Sequence, residues 1–204
     1  MMRMNLSRKM KHPILLCSFL LSIFYVQTAL SLEDPVKMLE SITQNVITEL
    51  QSNNRSAPKL IHNIILPHVD FIEMSRWIVG RHAWLDAKNA TRELFIQEFQ
   101  IFLVKNYTQL LLKFPYHKIK FLPLREAITT QKHIQVSSLV TRKGTAPVNL
   151  NYHLILEAGT WKVYDIVIEG ISLLEGYQAD FAEVIQHGGV AAAIEKIRSY
   201  NANH

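Results

Sequence analysis

VNLNYHLILEAGTWKVYDIVIEG, residues 148–170, decides the fold class. Val148, Leu150, Tyr152, Leu154 and Leu156 alternate with Asn149, Asn151 and His153, the period of two expected of a half-buried strand. Glu157-Ala158-Gly159 supplies a turn, and 161–168 reads as a second strand ending at Gly170. A link this short joins antiparallel neighbours. Strict alternation puts Trp161, Val163 and Val167 on one side of the second strand and Tyr164, Ile166 and Ile168 on the other. Both sides are apolar, so both are expected to be covered.

Working upstream, Ile134, Val136 and Val140 alternate with His133, Gln135 and Thr141, and Ile119 and Phe121 alternate with Lys118 and Lys120. These add two strands, with a turn at Arg142-Lys143-Gly144. Before them the period changes to that of a helix. The segment 34–52 repeats apolar residues at helical spacing behind Asp34 and Pro35, a second helix runs over 58–66, and Asp70 with Glu73 opens a third over 71–79, stopped by Gly80. The longest helix, 89–114, is apolar on most of its circumference. It is either a central core helix or one with a face on the sheet and another on an apolar ligand. Downstream, helices over 172–187 and 190–200 flank Gly188-Gly189. The order of helices, four strands and helices is α+β: a four-stranded, mainly antiparallel sheet with helices packed on it.

Four of the 22 basic residues, Arg3, Arg8, Lys9 and Lys11, precede the first acidic residue, Glu33. An uncharged apolar run over 13–26 and the small residues of Ala29-Leu30-Ser31 follow, the pattern of a cleaved secretory signal over residues 1–31. Residues 32–204 then form a single domain with 18 basic and 17 acidic side chains, which removes the argument for a nucleic-acid partner. The only cysteine, Cys17, leaves with the signal, and disulfides, cysteine nucleophiles and cysteine-ligated zinc leave with it.

Chemistry-bearing patterns are sparse. Eight histidines follow residue 31, but none forms H-E-x-x-H, and His62 and His68 straddle the helix-breaking Pro67. Gly170-Ile171-Ser172 starts like a nucleophile elbow and lacks its second glycine, so Ser172 reads as a helix cap. With no glycine-rich phosphate loop either, neither metal, cofactor nor catalytic residue is expected; His82 and Asp165 would be the first to test if an enzyme were suspected. What exceeds the needs of a plain fold is apolar surface.

The block ILPHVDFIEMSRWIVGRHAW (65–84) resembles the MlaC, or toluene-tolerance, family of periplasmic phospholipid-binding proteins. The likeness continues through FIQEFQIFLVKNYTQLLLKF (95–114), KIKFLPLR (118–125) and WKVYDIVIEGISLLEGYQADFAEVIQHGGVAAAIEK (161–196). The first helix and the link from Gln51 to Lys59 show no likeness, and Lys88-Asn89-Ala90 stands where the family usually carries a Ser/Thr-Pro-Glu cap. The resemblance implies a monomeric carrier in the periplasm of a Gram-negative bacterium, holding phospholipid tails in an apolar cavity and needing no cofactor. Its partners would be an inner-membrane Mla ABC transporter complex and an outer-membrane MlaA lipoprotein–porin complex, and its role the maintenance of outer-membrane lipid asymmetry. Two tails of about 15 methylenes, at about 0.8 kcal/mol each, give a gross burial term on the order of 20 kcal/mol, which a membrane offers equally. The expected lining is Phe71, Trp77, Ile78, Leu103, Tyr107 and Leu110 from helices and Tyr152, Leu154, Tyr164, Ile166 and Ile168 from strands. The alternative is a periplasmic protein-binding module or chaperone with an open apolar groove.

Overall fold

The computed structural model describes residues 32–51, 60–111, 118–124, 131–142 and 144–203, with the backbone alone over 109–111. The proposed signal segment lies outside the described residues. The first helix, α1 (Pro35–Gln51), starts where Asp34 Oδ1 accepts the Val36 N–H at 2.9 Å. The expected helix over 58–66 is instead a π-helical turn, Ile61–Ile65, running into a 3-10 turn, Leu66–His68. Pro67 cannot donate a backbone hydrogen bond, so no regular α-helix continues through it. Helix α2 (Phe71–Val79) is capped by Asp70, whose Oδ1 accepts the Glu73 N–H at 2.8 Å. The capping box is not reciprocal, because the Asp70 N–H goes to Val163 O and the Glu73 carboxylate takes Arg76 and Trp77.

Gly80, at φ 79°, ends α2 and at once starts a short helix that the sequence reading did not foresee, α3 (Arg81–Asp86). Helix α4 (Asn89–Leu111) and the long C-terminal α5 (Leu173–Asn203) form the bulk of the helical layer. Helix α5 is two helices joined at Gly189, whose φ of 66° and ψ of −168° are non-helical, in agreement with the expected break. Arg198 Nε donates to Glu98 Oε1 at 2.9 Å, and Tyr200 donates to Asn106, so the end of α5 is clamped along α4.

The sheet is an antiparallel meander in the order β1 (Lys118–Phe121), β2 (His133–Thr141), β3 (Val148–Glu157), β4 (Thr160–Ile168) and β5 (Ile171–Ser172). Among the described residues it has five strands rather than four. Glu169 and Gly170 both have positive φ, 49° and 85°, the form of a two-residue turn whose twist suits a hairpin, so the chain folds back on β4 before α5 begins. Ala158 and Gly159, at 47° and 83°, make the same turn between β3 and β4.

One irregularity governs the sheet. His153 pairs with Asp165, but Leu154 pairs with Val163, leaving Tyr164 as an extra residue in β4. A bulge of this kind shifts the alternation by one. Beyond it, Ile166 and Ile168 share the face of Trp161 and Val163, because they oppose Tyr152 and Leu150. Tyr164 lies on the opposite face and packs on the helical core. The expected grouping of Tyr164 with Ile166 and Ile168 is therefore corrected by the bulge.

Among the described residues, buried apolar side chains form three clusters. The largest joins α2 to α5 around Phe95, Phe99, Phe181 and Ile197. A second seats Met38 and Leu39 of α1 on Val136, Leu154 and Trp161. The third links Val46 of α1 to Leu60 and Ile61, with Val104 of α4 against it. Ile42 packs against both the second and the third, so α1 joins the sheet to α4.

Candidate functional site

The register sorts one sheet face into rows. Phe121, Ser138, Leu150, Ile168 and Ile171 form a row across all five strands. Ile119, Val140 and Val148 flank it toward one end, and Val136, Tyr152 and Ile166 toward the other. Farther along, Leu154 and Trp161 are sealed beneath α1. The face thus has a closed end and an open end. At the open end Val148 is 37% exposed and Ile171 71% exposed, while Ile119, Leu150 and Ile168 are only half-buried, as is Ile166 on the other side of the row. Fully burying such a side chain is worth about 1.5–3 kcal/mol, so this contiguous half-covered set leaves apolar surface still to be buried. A groove of about 310 Å³ runs beside it, between Glu40, Thr43, Gln44 and Ile47 of α1 and Ile119, Lys120 and Phe121 of β1.

The opposite face is polar through His133, Gln135 and Asn151, and is covered at β4, where Tyr164 meets the helices. Next to that contact lies a buried polar knot. The Asp165 carboxylate accepts the Ser172 hydroxyl at 2.8 Å and the Leu174 N–H at 3.1 Å, and His153 Nδ1 stands 3.3 Å from it. Burial pushes this carboxyl up, but hydrogen bonds from His153, Ser172 and the Leu174 N–H outweigh it and hold the carboxyl below its ordinary value. Ser172 Oγ in turn accepts the Glu175 N–H at 3.0 Å, as the expected helix cap. The serine stands against the aspartate and not against the histidine, which is the order of a cap rather than of a nucleophile with its base. His82 is exposed on α3. Among the described residues no group of three His, Cys, Asp or Glu side chains could hold a metal ion.

Of the expected lining, the structure brings Tyr152, Leu154, Ile166 and Ile168 onto the one apolar face, Leu154 at its closed end. The helical residues do not gather with them. Phe71 is half-buried at the start of α2; Trp77 is 50% exposed, with its indole N–H on Glu73 and its carbonyl accepting from Gln178. Ile78 is in the helical core and floors a shallow groove of about 450 Å³ along Ala179, Ala182 and Ile185 of α5. Leu103 packs on that same core. Tyr107 shares a 2.9 Å hydrogen bond with the Tyr177 hydroxyl, and burial pushes the Tyr177 phenol far up. The side chain of Leu110 lies outside the described residues. The sequence reading did not single out Ser138, Leu150, Val148 or Ile171. Alternation made Val148 and Leu150 visible as inward residues, but only strand register aligns them with Ile168.

Comparison with known proteins agrees with this architecture. The sequence pattern of the MlaC protein family matches residues 36–199. The chain is 22% identical over 205 residues to the intermembrane phospholipid transport system binding protein MlaC of Haemophilus influenzae, covering 96% of this chain and 95% of that one. It is also similar to the structure of a phospholipid-binding protein from Ralstonia solanacearum solved in complex with a phospholipid. The TM-score there is 0.74 and the identity 26%, over 84% of this chain and 98% of the other.

Proposed function

Because the chain belongs to the MlaC family, we propose that it is a phospholipid carrier of the Mla intermembrane transport system, and that the open end of its apolar sheet face receives the acyl chains. The observation that carries the reading is the half-covered set of Leu150, Ile166 and Ile168 on that face, which belongs to none of the buried clusters among the described residues. Val104 of α4 is tied toward the sheet through Ile42, which packs on both the sheet cluster and the cluster that Val104 adjoins. The chain acts in the periplasm after removal of residues 1–31, takes no cofactor, performs no chemistry on the lipid, and works as a monomer. It exchanges its cargo with an inner-membrane ABC transporter complex and an outer-membrane lipoprotein–porin complex. Near-balance between membrane and cavity burial allows loading and unloading without an input of energy at the protein itself.

Native mass spectrometry of the protein purified without detergent tests this. A bound mass equal to one phospholipid is expected. The variant Ile168→Glu places a charge in the open row, where the surroundings allow the fold to stand, and should lower the lipid load at least tenfold. A folded wild type that carries no lipid and takes none up overturns the proposal in favour of a protein-binding module.

A further inference from the structure

The apolar row contains one residue that does not belong there on hydrophobic grounds. Ser138 is 1% exposed and pairs with Leu150 on one side and Phe121 on the other, and among the described residues its hydroxyl makes no hydrogen bond of ordinary geometry, the Tyr152 phenol being the polar group it feels. A buried hydroxyl left unpaired costs about 1–3 kcal/mol. Tyr152 lies diagonally next to it on the same face, its ring 5.8 Å from that of Phe121. Burial pushes the Tyr152 phenol above its ordinary value, while the neighbouring Ser138 hydroxyl pulls it the other way, so the two hydroxyls share one apolar neighbourhood. Trp161 also has an unpartnered N–H, but it lies at the closed end beneath α1.

Resting on the carrier reading above, we propose that Ser138 and Tyr152 together form a polar foothold that donates hydrogen bonds to an ester carbonyl of the bound phospholipid. Two neutral donors in an apolar face suit a neutral acceptor. A phosphate seated at Ser138 would be a buried charge in an apolar row, since the described residues of that row, Phe121, Ser138, Leu150, Ile168 and Ile171, are all uncharged. On a diacyl phospholipid the acceptors that lie between tails and headgroup are the ester carbonyls. The foothold would set how deep the lipid sits, with hydrocarbon inward and headgroup outward, and it makes the site selective for ester over ether linkage.

The test is a competition. Full-length protein, exported and matured by its host, is mixed with vesicles holding equal amounts of diacyl and dialkyl ether phosphatidylglycerol of matched chain length. The protein is then recovered and its lipid quantified by mass spectrometry. The wild type should be enriched in the ester lipid about fivefold, the size of one net hydrogen bond. Ser138→Ala and Tyr152→Phe should each bring the ratio close to one, and neither should lower the melting temperature. A purely structural role for the hydroxyls would change load or melting and leave the ratio unmoved. A wild-type ratio of one, with lipid bound, overturns the foothold and spares the carrier. A protein that takes up neither lipid overturns the carrier reading and the foothold with it.

Discussion

Asp165→Ala is the substitution whose effect follows most directly from the geometry. The carboxylate is 5% exposed and accepts the Ser172 hydroxyl and the Leu174 N–H, so it ties β4 to β5 and to the first turn of α5. Removing it strands two donors in a place where water is scarce. A hydrogen bond to a charged group is worth about 1.5–3 kcal/mol, and the Ser172 hydroxyl can rotate to recover part of its loss, so the total is set at about 3 kcal/mol. For a chain of this size each kcal/mol lowers the melting temperature by about 2–4 °C, giving a fall of about 6–12 °C in a thermal unfolding scan at neutral pH. The pH dependence supplies a second readout. Asp165 titrates lower in the folded protein than in the unfolded chain, so its contribution is complete above the unfolded value of about 3.9 and is lost as the pH falls through the folded value. The gap between wild type and variant should narrow on acidification below about pH 4. Asp165→Asn keeps an acceptor for the Leu174 N–H and should lose about half as much. A fall smaller than 2 °C, or a gap that widens in acid, would refute the role assigned to the knot.

Two further substitutions probe the framework. Ala158 holds a left-handed backbone at φ 47° in the β3–β4 turn, and Ala158→Asn creates the Asn-Gly pair that this turn type prefers. It should raise stability by about 0.5–1 kcal/mol in a urea titration, and no gain would mean that the turn is not of this form. Phe99 is fully buried, stacked 5.9 Å from Phe95 and edge-on to Tyr177 at 5.5 Å; Phe99→Ala should cost about 3–5 kcal/mol by the same titration, and a cost below 1 would place Phe99 outside the core.

Much of the molecule was legible in the chain. Periodicity placed β1 to β4 and the ends of α2; Asp34 and Asp70 announced helix starts, and Gly188-Gly189 the break in α5. Those signals are local, because a cap, a turn or an alternation is satisfied by residues a few positions apart. The blocks at 65–84 and 161–196 pointed to the family for a related reason: they combine several such local devices in one order.

The site was not legible in the same way. Nothing in WKVYDIVIEG says that Tyr164 is an extra residue. The bulge exists because His153 pairs with Asp165 while Val69 bridges to Val163 and Asp70 donates to Val163 O, and those are contacts between distant segments. With the alternation reset there, Ile166 and Ile168 turn to the apolar face and Tyr164 away from it, so a grouping made by counting in twos fails at one residue. Ser138 is likewise unremarked in sequence, a serine on a strand, until register sets it between Phe121 and Leu150 and burial removes its partners. Local structure is determined by short-range bonding, which the sequence carries by itself. Which side chains share a face, and which polar group is left waiting in an apolar row, depends on pairing between strands, and only the tertiary structure decides that.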